Sequence, residues 1–242
     1  MTLTVVSYLS PRPKEFGDKA NSYSECIQLL DASCARANVK HVVLTEEGSV
    51  DAIPQSIDRT RVYAVNGTQD LPLMQAIIAG QMIYVKTVGI ADEGTILVGA
   101  DCLVAKDPRP VFDGADWDVG VTVGVYSPGG LNNGAVYLAP GKQDKALLFY
   151  ELAHMNCRPE WPGDQEAVRS VAMPLQKPVS IGERHGVRLC YFDMDTHNIP
   201  PACPEDVGAL AAYVLHFKGN RKSFMAAFAK LQLGIERPFV VA

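Results

Sequence analysis

The chain of 242 residues has no apolar run approaching the roughly 20 residues that a membrane-spanning helix needs. Nor does it carry an excess of basic charge, since 22 Lys and Arg stand against 27 Asp and Glu for a net charge of −5. That balance argues against a generic nucleic-acid coat or a binder of anionic membranes, and leaves room only for a local basic site. The start, Met-Thr-Leu-Thr-Val-Val-Ser-Tyr, lacks a basic n-region and a small-residue cleavage site, so it reads as a first strand rather than a signal peptide. Six cysteines (Cys26, Cys34, Cys102, Cys157, Cys190 and Cys203) lack the paired spacing of a zinc site or a disulfide frame. They read as reduced thiols, several of them small core residues, and a cytoplasmic location is expected. His154 and Cys157 share a helical face, but two residues do not make a metal site. There is no internal repeat, low-complexity tract or interdomain linker.

What is present is ordinary material for a large core: 48% hydrophobic and 20% charged residues. Leu3 to Ser7 reads as a short strand. A helix follows with Cys26, Ile27, Leu29, Leu30 and Cys34 at helical spacing, capped by Ser22 or Ser24. Val39 to Thr45 and Arg61 to Val65 are the next strands. Asp70 is expected to cap a helix that has Pro72 near its first turn and runs through Met74, Ile77, Ile78, Met82 and Val85. This alternation is that of a doubly wound α/β sheet. In the second half, Trp117 to Val125 and Ala135 to Ala139 are strand-like, separated by a turn-rich Ser127 to Gly134. Lys145 to Met155 is a helix, strands are expected near Val179 and over Val187 to Phe192, and Val214 to Phe217 is a last strand before a helix over Ser223 to Leu233. One domain, 1–242, with an elaborated second half fits this order.

Two stretches carry chemistry. Thr95-Ile-Leu-Val98 has the apolar, β-branched character of a strand buried on both faces, and Gly99-Ala100 then lets the backbone come close to a partner. Asp101 is the first charge after that run, just past the carboxyl end of a central strand, where open α/β sheets bind ligands. The second stretch, His216-Phe-Lys-Gly-Asn-Arg-Lys222, places an imidazole, three cations and a glycine directly after a short strand. Lysine and arginine suit phosphate oxygens, and imidazole with carboxylate is an acceptable ligand set for a divalent ion such as manganese.

Taken in order, five segments resemble the GT-A-fold nucleotide-sugar glycosyltransferases, most of all the glycogenin-like and lipopolysaccharide galactosyltransferase group. They are Gly99-Ala100-Asp101, Asp107-Pro108, Leu131-Asn132-Asn133-Gly134, Gly163-Asp164-Gln165, and His216-Phe217-Lys218-Gly219 with Lys222. The resemblance implies a GT-A, Rossmann-like fold, a central mainly parallel mixed sheet flanked by helices, with a nucleotide-binding half over 1–108 and an acceptor half over 109–242. It implies transfer of a sugar from a nucleotide-diphosphate donor, UDP-sugar favoured, with Mn2+ or Mg2+ as cofactor. Asp101 would match the last aspartate of the family's Asp-x-Asp motif and bind the metal, and His216 would complete the protein ligands. Lys218, Gly219 and Lys222 would hold the diphosphate. Gly99 and Ala100 would border the donor, Asn132, Asn133 and Gly134 would line the sugar pocket, and Asp164 and Gln165 would lie beside the reacting carbon. Lys86, at the end of the helix before the central strand, would contact the donor, and Tyr8, with Glu46, would stand where relatives hold base and ribose.

One departure matters. Gly99 stands where the motif's first aspartate is usual, so either Asp101, His216 and the diphosphate suffice for the ion, or metal dependence is reduced, or another carboxylate substitutes. The His-x-x-Gly pattern resembles retaining members, whereas Asp164 acting as a general base would favour inversion. No tail rich in aromatics and lysines is present, so a membrane-embedded acceptor is disfavoured; the acceptor stays open, a soluble saccharide being one candidate. The basic residues Arg169, Lys177, Arg184, Arg188, Arg221 and Lys222 also admit a hydroxymethylated DNA base, as in some phage enzymes. A noncatalytic nucleotide-sugar binder is the third reading. A nucleotidyltransferase is disfavoured, because Ser7-Tyr8-Leu9-Ser10-Pro11 is not its glycine-rich basic loop.

Overall fold

The computed structural model describes residues 2–11, 20–124 and 130–236. The first half alternates strands and helices: β1 (Thr4–Tyr8), α1 (Ala20–Arg36), β2 (Lys40–Glu46), β3 (Val62–Val65), α2 (Leu73–Thr87) and β4 (Thr95–Val98). A short β5 (Cys102–Val104) follows, then β6 (Val119–Val123), β7 (Leu131–Leu138), α3 (Gln143–Asn156) and α4 (Gly163–Ala172). The chain continues through β8 (Ser180–Arg184), β9 (Val187–Asp193), α5 (Met194–His197), β10 (Asn198–Ile199), β11 (Val214–His216) and α6 (Met225–Leu233).

Eight strands form one sheet in the order β3-β2-β1-β4-β7-β6-β9-β8. Four of its pairings are parallel (β2 with β3, β1 with β2, β1 with β4, β6 with β9) and three antiparallel. Apolar side chains on one face meet α2, α3 and α4, with Leu97, Val121, Val136, Phe149 and Val168 in one cluster. The other face packs α1 through Val5, Ile27, Leu30, Ile96 and Tyr137. Strand β4 is buried throughout, as a strand covered on both faces must be.

The strand order reverses between β1 and β4, because the chain leaves β1 toward β2 and β3 and returns across it through α2. Ligands in open α/β sheets sit at such a switch point, outside the carboxyl ends of the strands. A second sheet, β10-β11-β5, stands at that end. Its own cluster, Leu103, Leu215 and Phe217 with Phe228 and Leu233 of α6, seals it against the helices.

Several local expectations are corrected. Ser22 and Ser24 lie inside α1 rather than at its start, and Pro72, not Asp70, occupies the position before α2, where it offers no side-chain cap. Asn132, Asn133 and Gly134 belong to β7 and not to a turn. They are set by a register jump, in which Val121 faces Val136 but Thr122 faces Asn132, so that a bulge of β7 turns these residues toward the sheet's carboxyl end. Val125 and residues 127–129 of the expected turn lie outside the described residues.

A buried polar brace ties α1 to the sheet. Ser7 Oγ lies 2.9 Å from His41 Nε2, His41 Nδ1 lies 3.0 Å from Asp31 Oδ1, and Arg61 donates to both Asp31 oxygens at 2.6 and 3.2 Å. The order is that of a hydrolytic triad, but Ser7 and His41 are sealed between helix and strand, so its role is structural. Burial alone would raise the Asp31 carboxyl, yet His41 and Arg61 outweigh it and hold it below the usual range. A depressed native pKa adds stability above the ordinary aspartate value of about 4, and that stability is lost as pH falls through the native value. Asp31→Ala is therefore expected to cost about 1–3 kcal/mol at neutral pH in urea unfolding, with the gap to the parent protein closing on acidification.

Candidate active site

Strand β4 ends at Val98, and Gly99 to Asp101 turn the chain into β5. The antiparallel register of β11 on β5 sets Val214 against Val104, Leu215 against Leu103 and His216 against Cys102. Two segments more than a hundred residues apart in the sequence thus meet at the switch point. His216 Nε2 stands 3.3 Å from Asp101 Oδ1, and Lys222 Nζ, carried by the 3-10 turn after β11, stands 2.7 Å from Asp101 Oδ2. Burial would raise the Asp101 carboxyl, but His216 and Lys222 overcome that effect and hold it far below the carboxylate range. Lys222 is held in its charged form by the same carboxylate against the opposing pull of burial.

The protonation of His216 can be read from its neighbours. Asn132 Oδ1 accepts from the backbone N–H of Gly134 at 3.2 Å, while Asn132 Nδ2 donates to the carbonyl of Asn198 at 2.9 Å. Those two partners fix the amide orientation, so Oδ1, 3.0 Å from His216 Nδ1, is an acceptor and Nδ1 must carry a proton. The remaining ring nitrogen, Nε2, faces a carboxylate oxygen. The two atoms, 3.3 Å apart, are placed to share a bound cation. Asp101, Cys102 and His216 offer one ligand atom each, all within 4.8 Å of one another. Burial, then the Asp101 charge, push the Cys102 thiol well above its ordinary value, and its Sγ donates to the carbonyl of Gly134 at 3.2 Å. The Asp101 oxygen and the His216 nitrogen are an acceptable ligand pair for a divalent ion.

Two glycines make this approach possible. A Cβ on Gly134 would lie 2.0 Å from His216 Nδ1, so the imidazole stands where any side chain would be. A Cβ on Gly99 would lie 2.8 Å from Asp101 Oδ1, so a side chain here would press on the end of the Asp101 carboxylate.

The first turn of α4 closes the opposite side. Asn133 Nδ2 lies 3.4 Å from Asp164 Oδ2, and Lys218 Nζ lies 3.4 Å from Gln165 Oε1. Burial raises the Asp164 carboxyl against the hydrogen bonds from the Gln165 backbone and Asn133, and burial lowers the Lys218 ammonium. Both groups thus spend less of their affinity on water than exposed ones do. Gly99, Asp101, Asn132, Asn133, Gly134, Asp164, Gln165, His216, Lys218 and Lys222 are linked by these contacts into one site, with Gly219 continuing the turn at φ +58°.

Two sequence-based expectations fall elsewhere. Lys86 is exposed at the far end of α2, which runs antiparallel to the strands, so it lies at the amino edge of the sheet and away from the site. Tyr8 ends β1 but is buried, its ring against Gly80 of α2 and its hydroxyl 3.4 Å from Glu46 Oε1 and 3.3 Å from Thr68 Oγ1, so it is a strut rather than an open surface. Ala100, between Gly99 and Asp101 at the site, has its side chain buried in the α1-side core. Conversely, sequence reasoning missed Asn198 and Thr122, which hold Asn132 from behind: Thr122 Oγ1 donates to the Asn132 carbonyl at 2.6 Å and Asn198 Nδ2 reaches Thr122 Oγ1 at 3.1 Å. No local pattern marks either residue. Cys102 was read only as a core residue, although its place beside Asp101 was the available signal.

No family model matches the chain, and no curated protein sequence matches it. Among solved structures, a glycosyltransferase involved in glycosylation of the PBCV-1 major capsid protein aligns over 93% of this chain and 98% of its own at 13% identity, with a TM-score of 0.54. Mouse xyloside xylosyltransferase 1 aligns over 91% and 98% at 11% identity, TM-score 0.51. The bifunctional glycosyltransferase WbbM covers 95% of this chain with 49% of its own, at 11% identity and TM-score 0.53. The shared property is the fold, the GT-A arrangement that the ordered motifs implied.

Proposed function

From the GT-A fold of this chain, we propose that it transfers a sugar from a nucleoside-diphosphate donor, a UDP-sugar in the first instance, to an acceptor hydroxyl. The observation that carries this reading is the convergence of Asp101, His216 and Lys222 at the switch point, with Lys218 beside them. As the glycosidic bond to phosphate breaks, positive charge grows on the sugar ring and negative charge on the leaving diphosphate. Fixed cations aimed at the leaving group act where that charge develops. Lys222 and Lys218 would supply them from the protein, and the backbone at Gly219 would let the phosphates approach closely. Asp101 and His216 would hold a divalent ion, Mn2+ or Mg2+, whose chemistry there is Lewis-acid stabilisation of the same oxygens. With Gly99 replacing a second carboxylate, Asp101 is the single motif carboxylate for that ion.

On the other side, Asp164 and Gln165 lie where the sugar's reacting carbon and the incoming hydroxyl would meet. The His216-x-x-Gly219 pattern supports retention of anomeric configuration, and NMR of the product anomer tests it. A cytoplasmic setting fits the reduced cysteines. The DNA-modifying alternative loses ground because two of its basic residues are spent: Arg169 pairs with Glu166 at 3.3 Å and Arg188 with Asp116 at 3.0 Å.

A thermal-shift screen of UDP, GDP and their sugars, with and without Mn2+, tests the donor site. At a ligand concentration of about 100 times Kd, selective binding to the folded state adds about 2.7 kcal/mol, a Tm rise of about 5–10 °C for a chain this size. A flat response to every nucleotide in both metal conditions would overturn the assignment. Slow hydrolysis of the donor that binds separates an enzyme from a noncatalytic binder.

A further inference from the structure

The chain has two tryptophans, and they are treated oppositely. Trp117 is 4% exposed and sits in the core among Phe112 and Phe192, whereas Trp161 is 73% exposed. Trp161 has no aromatic ring stacked on it among the described residues. It stands at the rim of a cleft of about 770 Å³, within the range of small-molecule sites. Gln165 and Lys218, the pair that closes the site described above, also line this cleft, so cleft and site share a wall. Phe224 forms part of the lining and is held edge-on against Phe217.

The remaining lining mixes apolar Pro162 and Ala202 with polar Asn220 and Arg221, and no carboxylate is among the described lining residues. Asn220 and Arg221 face the cleft, and Arg221 is anchored through Nε to the carbonyl of Pro201 at 2.9 Å. A large exposed aromatic face in a cleft that also holds amide and guanidinium donors matches a ring that is apolar on one side and hydroxylated at its edge. That is a pyranose: its C–H face covers indole and its hydroxyls meet fixed donors.

We propose that this cleft is the acceptor subsite and that the acceptor is a saccharide seated on the indole of Trp161. The inference rests on the proposed sugar transfer and adds the acceptor class. A nucleobase would also stack on Trp161, but a nucleic acid needs a track of cations along its backbone. Among the described residues, Lys218 and Arg221 are the cations that line the cleft, within an acidic chain.

The test uses the full chain with the donor identified by thermal shift. Acceptor probes are a panel of gluco-, galacto- and manno-configured disaccharides, and an oligonucleotide carrying 5-hydroxymethylcytosine. Donor hydrolysis without acceptor is measured in parallel, because it reads the donor site alone. At least one disaccharide is expected to accept sugar and to change tryptophan fluorescence, a change absent from Trp161→Phe. Trp161→Ala is expected to raise that acceptor's KM tenfold or more and to shift donor consumption from transfer toward hydrolysis. Trp161→Phe, which keeps an aromatic face, should stay within about threefold of the parent KM. Modification of the oligonucleotide alone, no transfer to any disaccharide, or an acceptor KM unmoved by Trp161→Ala each overturns the saccharide subsite while leaving the donor assignment standing if hydrolysis persists. Loss of all donor hydrolysis by the unmutated protein removes both.

Discussion

Replacing His216 with alanine is expected to lower transfer turnover about a hundredfold or more while the protein stays folded. The imidazole is partly exposed and rests over Gly134, so its removal leaves no large void in either core. What it removes is electrostatic. Asp101 keeps Lys222 at 2.7 Å but loses the partner that faces its Oδ1, and with it the nitrogen ligand for a divalent ion. Loss of one preorganised group facing developing charge typically costs about 10²–10³ in turnover. The measurement is kcat as a function of Mn2+ concentration, with thermal unfolding as the fold control. A His216→Ala protein that turns over at the parent rate and still responds to manganese would sink the assigned role. Asp101→Asn offers a second view, since it keeps the shape of the carboxylate but leaves Lys222 and His216 without their anion.

Gly134→Ala should approach the same loss by a purely steric route. The added methyl would sit 2.0 Å from His216 Nδ1 and 2.5 Å from its Cγ, far inside contact distance. The ring must swing away, which breaks its 3.0 Å bond to Asn132 Oδ1 and moves Nε2 from Asp101. Overpacking of this kind costs about 1–3 kcal/mol, so a Tm drop of several degrees accompanies the activity loss. The informative comparison is the double variant. If Gly134→Ala acts only by displacing the ring, then adding it to His216→Ala should cost little further activity and should relieve part of the destabilisation. Full additivity of the two activity losses would show that Gly134 works through something other than the imidazole.

Both expectations concern atoms whose residue types were visible in the sequence but whose meeting was not. The buried run Thr95 to Val98 followed by glycine and aspartate places Asp101 at a strand end, because local apolar character decides which strand is central. The basic heptad after Val214 places His216 and Lys222 at another strand end for the same reason. Asn132 shows the limit of local reading. Two asparagines and a glycine in a polar stretch have turn character, yet tertiary pairing with β6 draws them into β7 and makes Asn132 the group that fixes the proton on His216.

By itself, the sequence determined the alternation of the first half, the buried central strand and the chemical character of the two strand ends, because hydrophobic periodicity and the position of glycine act over a few residues. Only the tertiary structure decided that those ends face each other. Strand order and the register of β11 on β5 are set by how whole layers pack, and a shift of one residue would have turned His216 to the opposite face of its sheet. The same long-range packing sent Lys86 to the wrong edge, buried Tyr8 beneath α2 and left Trp161 standing open at the rim of a cleft.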